Sequence, residues 1–199
     1  MSSADRENDS SCDVAVTPTT KGSKADEQQA EWRYGLAEDD TSAQLEMLVE
    51  IGRCERVFGV SELVTRLAGS RDDSVRAAAA QALESSLQPS PLELPALITL
   101  LRDASDGEIS YWAATLVGRL GNNAVEAVPA LCECLTCSSF LPARERAVWA
   151  LKKIGPDACD SISVLHAVSN SAPARLQQLC REAISEIGAR VCLRPKQVA

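Results

Sequence analysis

Closely spaced cysteines are the residues of this sequence with the clearest potential for chemistry. Cys132, Cys134 and Cys137 lie together in the stretch CECLTC, and thiolates at such a spacing can begin a metal or iron–sulfur site. A complete site needs further ligands, but the other five of the eight cysteines are scattered and form no second CxxC pair. We therefore predict no metal and no cofactor, and we interpret these cysteines as small hydrophobic residues of a core.

Nucleophilic catalysis by one of these thiols would need a basic partner that holds it as a thiolate. The single histidine of the chain is His166, and in the repeat described below it takes the place of Ile98 and Cys132. That place indicates a half-buried structural histidine. The sequence also contains no glycine-rich phosphate loop and no nucleophile elbow. We predict no catalytic residue and a non-enzymatic protein.

Charge and composition exclude several classes of partner. The 199 residues carry a net charge of -8, whereas a protein that binds nucleic acid needs a cationic surface against the phosphates. No apolar run is long enough to cross a bilayer, and the polar start MSSADRENDS does not resemble a secretory signal. We therefore predict a cytoplasmic protein that binds neither nucleic acid nor membrane.

The charge is concentrated near the N-terminus. Residues 1–40 contain ten Asp and Glu but four Lys and Arg, and up to about residue 26 they have too few aliphatic side chains to form a core. We predict a disordered acidic tail at 1–26, a folded domain at 27–188 and a C-terminal tail at 189–199. Whether the acidic tail only aids solubility or also docks on a partner stays open.

The folded part contains an internal repeat of about 34 residues. Its most regular element is an amphipathic helix whose apolar anchor recurs at Leu48, Leu83, Val117, Leu151 and Ile184. Small residues lie four positions before every anchor except the first, where Gln44 stands, and small or apolar residues lie one before and three after each anchor, which makes one helical stripe. Glycine follows four positions after the anchor at Gly52, Gly121, Gly155 and Gly188. Because glycine tolerates a left-handed backbone, we expect it to end these helices.

A second helix lies between successive copies. Its anchors Leu63, Leu97, Leu131 and Leu165 are each 34 residues apart. The repeat therefore predicts four helix pairs, at about 61–87, 91–121, 124–155 and 159–188, preceded by a single copy at 41–52 and a short capping segment with a buried Trp32. One pair cannot cover its own apolar stripe, whereas stacked pairs can. The predicted fold is all-α, a right-handed α-solenoid of stacked antiparallel helix pairs.

The stretches VRAAAAQALESS, YWAATLVGRLG and AVWALKKIG, each preceded by a helix similar to VPALCECL, resemble HEAT repeats, which form armadillo-type superhelices. The short repeat is most similar to the kind also found in phycobilin lyases. The resemblance extends over about 42–188, and the second unit departs from it with Ser86 and Leu87 in place of Ile-Gly. It implies a scaffold or adaptor that binds proteins, with a phycobilin-lyase-like enzyme or enzyme subunit as the alternative.

In HEAT solenoids the second helices of the pairs line the concave side. Here their outward ridge falls five and two residues before the anchor and two after it. On two adjacent units this ridge collects aromatic and cationic residues, whereas the units at both ends carry acidic ones. The predicted partner-binding patch is Tyr111, Trp112, Arg119, Arg146, Trp149 and Lys153. Since arginine with exposed tryptophan is typical of binding hot spots, we predict that the patch binds a protein or peptide segment that is acidic or phosphorylated. The alternative, which stays open, is that each tryptophan folds over a neighbouring helix and the cations only solvate that face.

Overall fold

The structure is a computed structural model, and it describes residues 24–85, 87–103 and 106–192. The predicted acidic tail lies outside these residues except for its last three positions, which belong to the first helix. The predicted C-terminal tail also lies outside them from residue 193 onward. Ser86, one of the two residues that break the repeat pattern, is likewise not described.

The described residues form α-helices joined by short turns and 3₁₀ segments. The helices are α1 (Lys24–Ala37), α2 (Thr41–Arg53), α3 (Ser61–Leu67), α4 (Asp73–Ser85), α5 (Leu94–Asp103), α6 (Gly107–Leu120), α7 (Val128–Cys137), α8 (Leu141–Ile154), α9 (Ile162–Ser169) and α10 (Ala174–Cys192). The 3₁₀ segments are Pro91–Glu93, Gly121–Ala127 and Gly155–Ser161. Within the described ranges there is no strand, and the one isolated bridge joins Val57 to Leu87. The all-α prediction is confirmed.

The helices form stacked pairs, α3/α4, α5/α6, α7/α8 and α9/α10, after an N-terminal pair α1/α2. The second helices pack directly on one another from α2 to α4, from α6 to α8 and from α8 to α10. Between α4 and α6 the described backbones do not pack closely in this way, and α6 packs on α3 instead. The array is thus a HEAT-like solenoid with an irregular step at its second unit.

The predicted stripe of the second helices forms the core. Ala79, Ala113, Ala147 and Cys180, four residues before their anchors, are all fully buried, and these small side chains let neighbouring helices approach closely. The anchors from Leu48 to Leu151 are buried as well. The last anchor, Ile184, is only half-buried, because no further unit covers α10 in the described chain.

The first helices follow the predicted pattern in three units out of four. Leu97, Leu131 and Leu165 are fully buried, but in α3 the buried residue is Val64 and the predicted anchor Leu63 is half-buried. The helix α3 has seven residues, and it is turned by one position relative to the other first helices. At the N-terminal end, α1 packs on α2 and buries Trp32, which is 8% exposed. The prediction that this tryptophan belongs to the core is confirmed.

Two of the four predicted glycine ends are confirmed. Gly121 and Gly155 follow α6 and α8 with φ angles of 58° and 80°, a backbone region that favours glycine, and each begins a 3₁₀ segment. The prediction is wrong for Gly52 and Gly188, which lie inside α2 and α10. A Cβ atom at either position would meet nothing within 4 Å, so neither glycine is required there by packing.

Candidate functional site

One face of α8 carries an aromatic ring between two cations. Arg146 lies three residues before Trp149 and Lys153 four residues after it, so all three side chains meet on the helix surface. Arg146 Cζ lies 5.3 Å from the centre of the Trp149 ring and Lys153 Nζ lies 5.6 Å from it. Both distances are within the range of cation–π interactions.

Tyr111 extends this arrangement to the neighbouring helix α6. Arg146 Cζ lies 5.0 Å from the centre of the Tyr111 ring, and Arg146 Nη2 donates a hydrogen bond of 2.9 Å to Tyr111 Oη. We call Tyr111, Arg146, Trp149 and Lys153 the aromatic–cation cluster. The structure thus brings four of the six predicted residues into one contiguous group across α6 and α8.

Gly118 of α6 allows the two helices to hold this cluster. A Cβ atom at this glycine would lie 2.2 Å from an atom of the Trp149 ring and 3.1 Å from the Ala150 backbone, so the ring rests directly on the α6 backbone. The sequence interpretation did not use Gly118. The signal that could have identified it is a glycine inside an otherwise apolar helix, since such a residue often marks a close approach.

The prediction that Trp112 belongs to an exposed patch is wrong. Its side chain is buried, at 9% exposed, and packs edge-on against Tyr111 with ring centres 5.1 Å apart. Thr115, on the same ridge of α6, is 4% exposed. Unlike the other second helices, α6 also packs on α3, a first helix of the preceding unit, and its ridge is covered at Trp112 and Thr115. Trp112 supports Tyr111 from within the core.

Arg119 is also engaged in holding the fold together. Its Nη1 atom donates hydrogen bonds of 2.6 and 2.8 Å to the carbonyls of Leu83 and Leu87, and Nη2 donates one of 3.3 Å to Glu84. The carbonyls of Leu83 and Glu84 belong to the last turn of α4 and that of Leu87 follows the helix, in the one unit without the predicted glycine. A cation at this place satisfies C-terminal carbonyls that have no partner within the helix. Arg119 therefore links α6 by hydrogen bonds to the end of α4, where the two helices do not pack closely on one another.

Within the described part of the chain, the two cations of the cluster have no acidic partner. Among the described residues, neither Arg146 nor Lys153 has a carboxylate within 4.0 Å, whereas the adjacent Lys152 pairs with Glu182 and Glu186 of α10. Burial lowers the pKa of Arg119, and the nearby charge of Arg146 lowers that pKa further. Positive charge is therefore concentrated on this part of an acidic protein, and an anion would relieve the repulsion.

The cysteines and the histidine do not form a comparable site. Cys134 is buried, and burial raises the pKa of its thiol to about 11, which disfavours the reactive thiolate. Burial also raises the pKa of Cys132 and of Cys180. His166, predicted to be half-buried, is exposed on α9. In the part of the chain that the structure describes, no three residues of His, Cys, Asp or Glu are grouped to hold a metal ion.

Comparison with known proteins finds a family that matches part of the chain. Residues 94–185 match the family described as HEAT repeats, a region that begins at α5 and ends within α10 and so includes three of the four helix pairs. The match does not single out the phycobilin-lyase type. No curated protein matches the chain. None of the described helices is long and apolar enough to span a membrane. The stacked helix pairs on either side of α5 agree with this match, and residues 94–185 are thus similar to HEAT repeats.

Proposed function

We propose that this protein is a non-enzymatic adaptor whose aromatic–cation cluster binds an acidic or phosphorylated segment of a partner protein. HEAT repeats generally mediate protein–protein interactions. The observation that carries the proposal is the pair of cations, Arg146 and Lys153, that lie over aromatic rings and have no carboxylate partner among the described residues. The cluster lies on the second helices, the side that is concave in HEAT solenoids.

The cluster suits an anionic ligand because its donors are already ordered. Arg146 is held between two rings and by the hydroxyl of Tyr111, so less side-chain entropy is lost on binding. A guanidinium has five N–H donors, and one of those of Arg146 is used by Tyr111. The remaining donors can form a bidentate pair with a carboxylate or phosphate group. The half-buried Trp149 supplies a rigid apolar surface beside them.

An adaptor of this kind would work in a reducing compartment, and we propose the cytoplasm. All six cysteines whose side chains are described are free thiols, as is usual where glutathione and thioredoxin keep thiols reduced.

The test is capture of a partner from the native cell followed by measurement of its affinity. The full chain serves as bait, and the recovered partner is then titrated against Trp149→Ala and Arg146→Ala. We expect each substitution to weaken binding by about fivefold to thirtyfold, since truncation of a hot-spot residue typically costs 1–2 kcal/mol. Binding by the unmodified chain should also weaken as salt is added.

Arg175→Ala is the matched control, because Arg175 is an exposed cation of α10 that pairs with Glu145 and lies outside the cluster. Circular dichroism checks that every variant keeps its helical content. Full affinity in the Trp149→Ala, Arg146→Ala double variant would show that the cluster is not the binding site.

A further inference from the structure

The outer face of α1 carries an aromatic ring between carboxylates. Glu31 lies three residues before Tyr34 and Glu38 four residues after it, so the three side chains meet on the helix surface. Glu27, one turn before Glu31, continues the same line. We call Glu27, Glu31, Tyr34 and Glu38 the acidic–aromatic stripe. All four residues are exposed, Tyr34 at 71%.

This stripe has neither a counter-charge nor a covering helix in the described chain. Among the described residues, none of its three carboxylates has the nitrogen of a cation within 4.0 Å. Glu38 accepts a hydrogen bond from Tyr34, and this bond and the charge of Glu38 raise the pKa of Tyr34. The helix packs on α2 and α3 through its other side, where Trp32 and Leu36 are buried. Because tyrosine is enriched where proteins bind one another, the stripe is suited to an interface.

The stripe and the aromatic–cation cluster match in the order of their groups. On α8 the positions three before and four after the ring are the cations Arg146 and Lys153, whereas on α1 they are the carboxylates Glu31 and Glu38. Each line has the order charge, ring, charge in both directions. Opposite charges therefore meet whether the two helices run parallel or antiparallel to one another.

Acidic residues of the second helices offer no comparable match, because several of them are already engaged. Glu182 and Glu186 of α10 pair with Lys152, and Glu50 of α2 accepts a hydrogen bond from Gln28. The stripe combines carboxylates that have no cation beside them in the described chain with an exposed aromatic ring.

The stripe and the cluster cannot meet within one molecule. The helix α1 packs on α2 and α3, whereas α8 packs on α6, α7 and α10. The second helices α4 and α6 lie between α2 and α8 in the array, and packed helices are about 8–10 Å apart, so roughly 25 Å separates α2 from α8. A contact between the two surfaces therefore needs two molecules.

We propose that the acidic–aromatic stripe of one molecule binds the aromatic–cation cluster of a second copy of this chain. This inference rests on the proposed function, because it uses the same cluster, and it names the acidic segment as α1 of a second copy. A pair related by two-fold symmetry forms the contact twice, so we expect a dimer. Self-association covers the cluster, and a partner protein then has to displace the second copy.

Sedimentation equilibrium of the full chain tests this inference. At about 25 mM salt we expect a dimer with a dissociation constant of about 100 μM, as for weak transient complexes. Association should be about threefold to tenfold weaker at about 300 mM salt, because exposed charges are screened. The double variants Glu31→Lys, Glu38→Lys and Arg146→Glu, Lys153→Glu should each weaken association at least about tenfold, because each brings like charges together.

A mixture of these two double variants is the decisive measurement. The altered stripe is basic and the altered cluster is acidic, so the mixed pair has opposite charges at both contacts. We expect the mixture to associate within about threefold of the unmodified chain. Glu108→Lys, Glu126→Lys is the matched control, because it makes the same change of charge at two exposed carboxylates outside the stripe. It should leave association unchanged, and circular dichroism checks that every variant keeps its helical content.

The outcomes separate this inference from the proposed function. A monomer at about 1 mM protein in low salt, or a mixture that stays monomeric, would overturn the inference. The proposed function stands in that case if the captured partner still requires Arg146 and Trp149. An equal loss in the control variant would show that association follows net charge, and dependence on the stripe without dependence on the cluster would place the contact elsewhere; either result contradicts the inference. If neither association nor partner capture responds to changes in the cluster, both proposals fail.

Discussion

Replacing Arg119 with methionine tests whether this side chain stabilises the fold rather than binding a partner. Methionine keeps an unbranched stem but removes the donors to the carbonyls of Leu83, Glu84 and Leu87. A hydrogen bond from a charged donor contributes about 1.5–3 kcal/mol. Arg119 is only half-buried, so water replaces part of this, and removing its charge also relieves repulsion with Arg146. We therefore expect the free energy of unfolding to fall by about 2 kcal/mol in total.

For a chain of this size, a loss of that magnitude lowers the melting temperature by about 4–8 °C. Far-UV circular dichroism during heating and during urea titration measures both quantities. Arg119→Lys should give an intermediate loss, because an ammonium lacks the forked donors of a guanidinium. Arg102→Met is the control: its ion pair with Glu133 is exposed and 3.6 Å long, so its loss should stay below about 0.5 kcal/mol. A melting temperature of Arg119→Met within 1 °C of the unmodified chain would refute the reasoning.

Two further predictions concern the core. Ala113→Leu and Ala147→Leu should each lower the free energy of unfolding by about 1–3 kcal/mol, because both alanines are fully buried and α6 packs against α8; unchanged urea midpoints would show that the helical phase is wrong. Burial raises the pKa of Cys134 to about 11 in the folded chain, whereas the thiol of the unfolded chain ionises from about pH 9. Between pH 9 and 11 the free energy of unfolding of the unmodified chain should therefore fall by up to about 2 kcal/mol more than that of Cys134→Ala. Parallel pH profiles of the two proteins would contradict this.

The repeat predicted most of the fold because each unit packs on its neighbours through the same helix positions. Small residues recur where second helices approach, and the anchors recur where they face the core. The predictions that are wrong lie where a neighbour differs from unit to unit. Leu63 is only half-buried because α3 is turned so that Val64 faces the core instead. Ile184 is half-buried because no described unit follows α10.

Of the candidate site, the sequence could predict only the part that lies on the single helix α8. The spacing of Arg146, Trp149 and Lys153 places them on one face of α8 whatever the surroundings. The contact of Arg146 with Tyr111 and the burial of Trp112 depend on how α6 is rotated between three neighbouring helices, and periodicity does not contain that information. The role of Arg119 also depends on a second place in the chain, the end of α4, where the glycine of the other units is missing.

The glycine turns at Gly121 and Gly155 have a consequence for how this chain can grow. They are 34 residues apart, have similar backbone angles and lead into 3₁₀ segments of equal length. A duplicate of 122–155 inserted after Gly155 would therefore create only backbone junctions that already exist, so the array could be lengthened by a whole unit.

Such a duplication would not copy the aromatic–cation cluster. The added copy of α8 would pack on the original α8 instead of on α6. At the position where α6 has Gly118, α8 has Lys152, and where α6 has Tyr111, α8 has Glu145. The added tryptophan would meet a side chain instead of the bare backbone of α6, and the added arginine would lose its tyrosine partner. The architecture can be multiplied unit by unit, whereas the cluster belongs to one junction between two dissimilar helices and would remain single in a longer array.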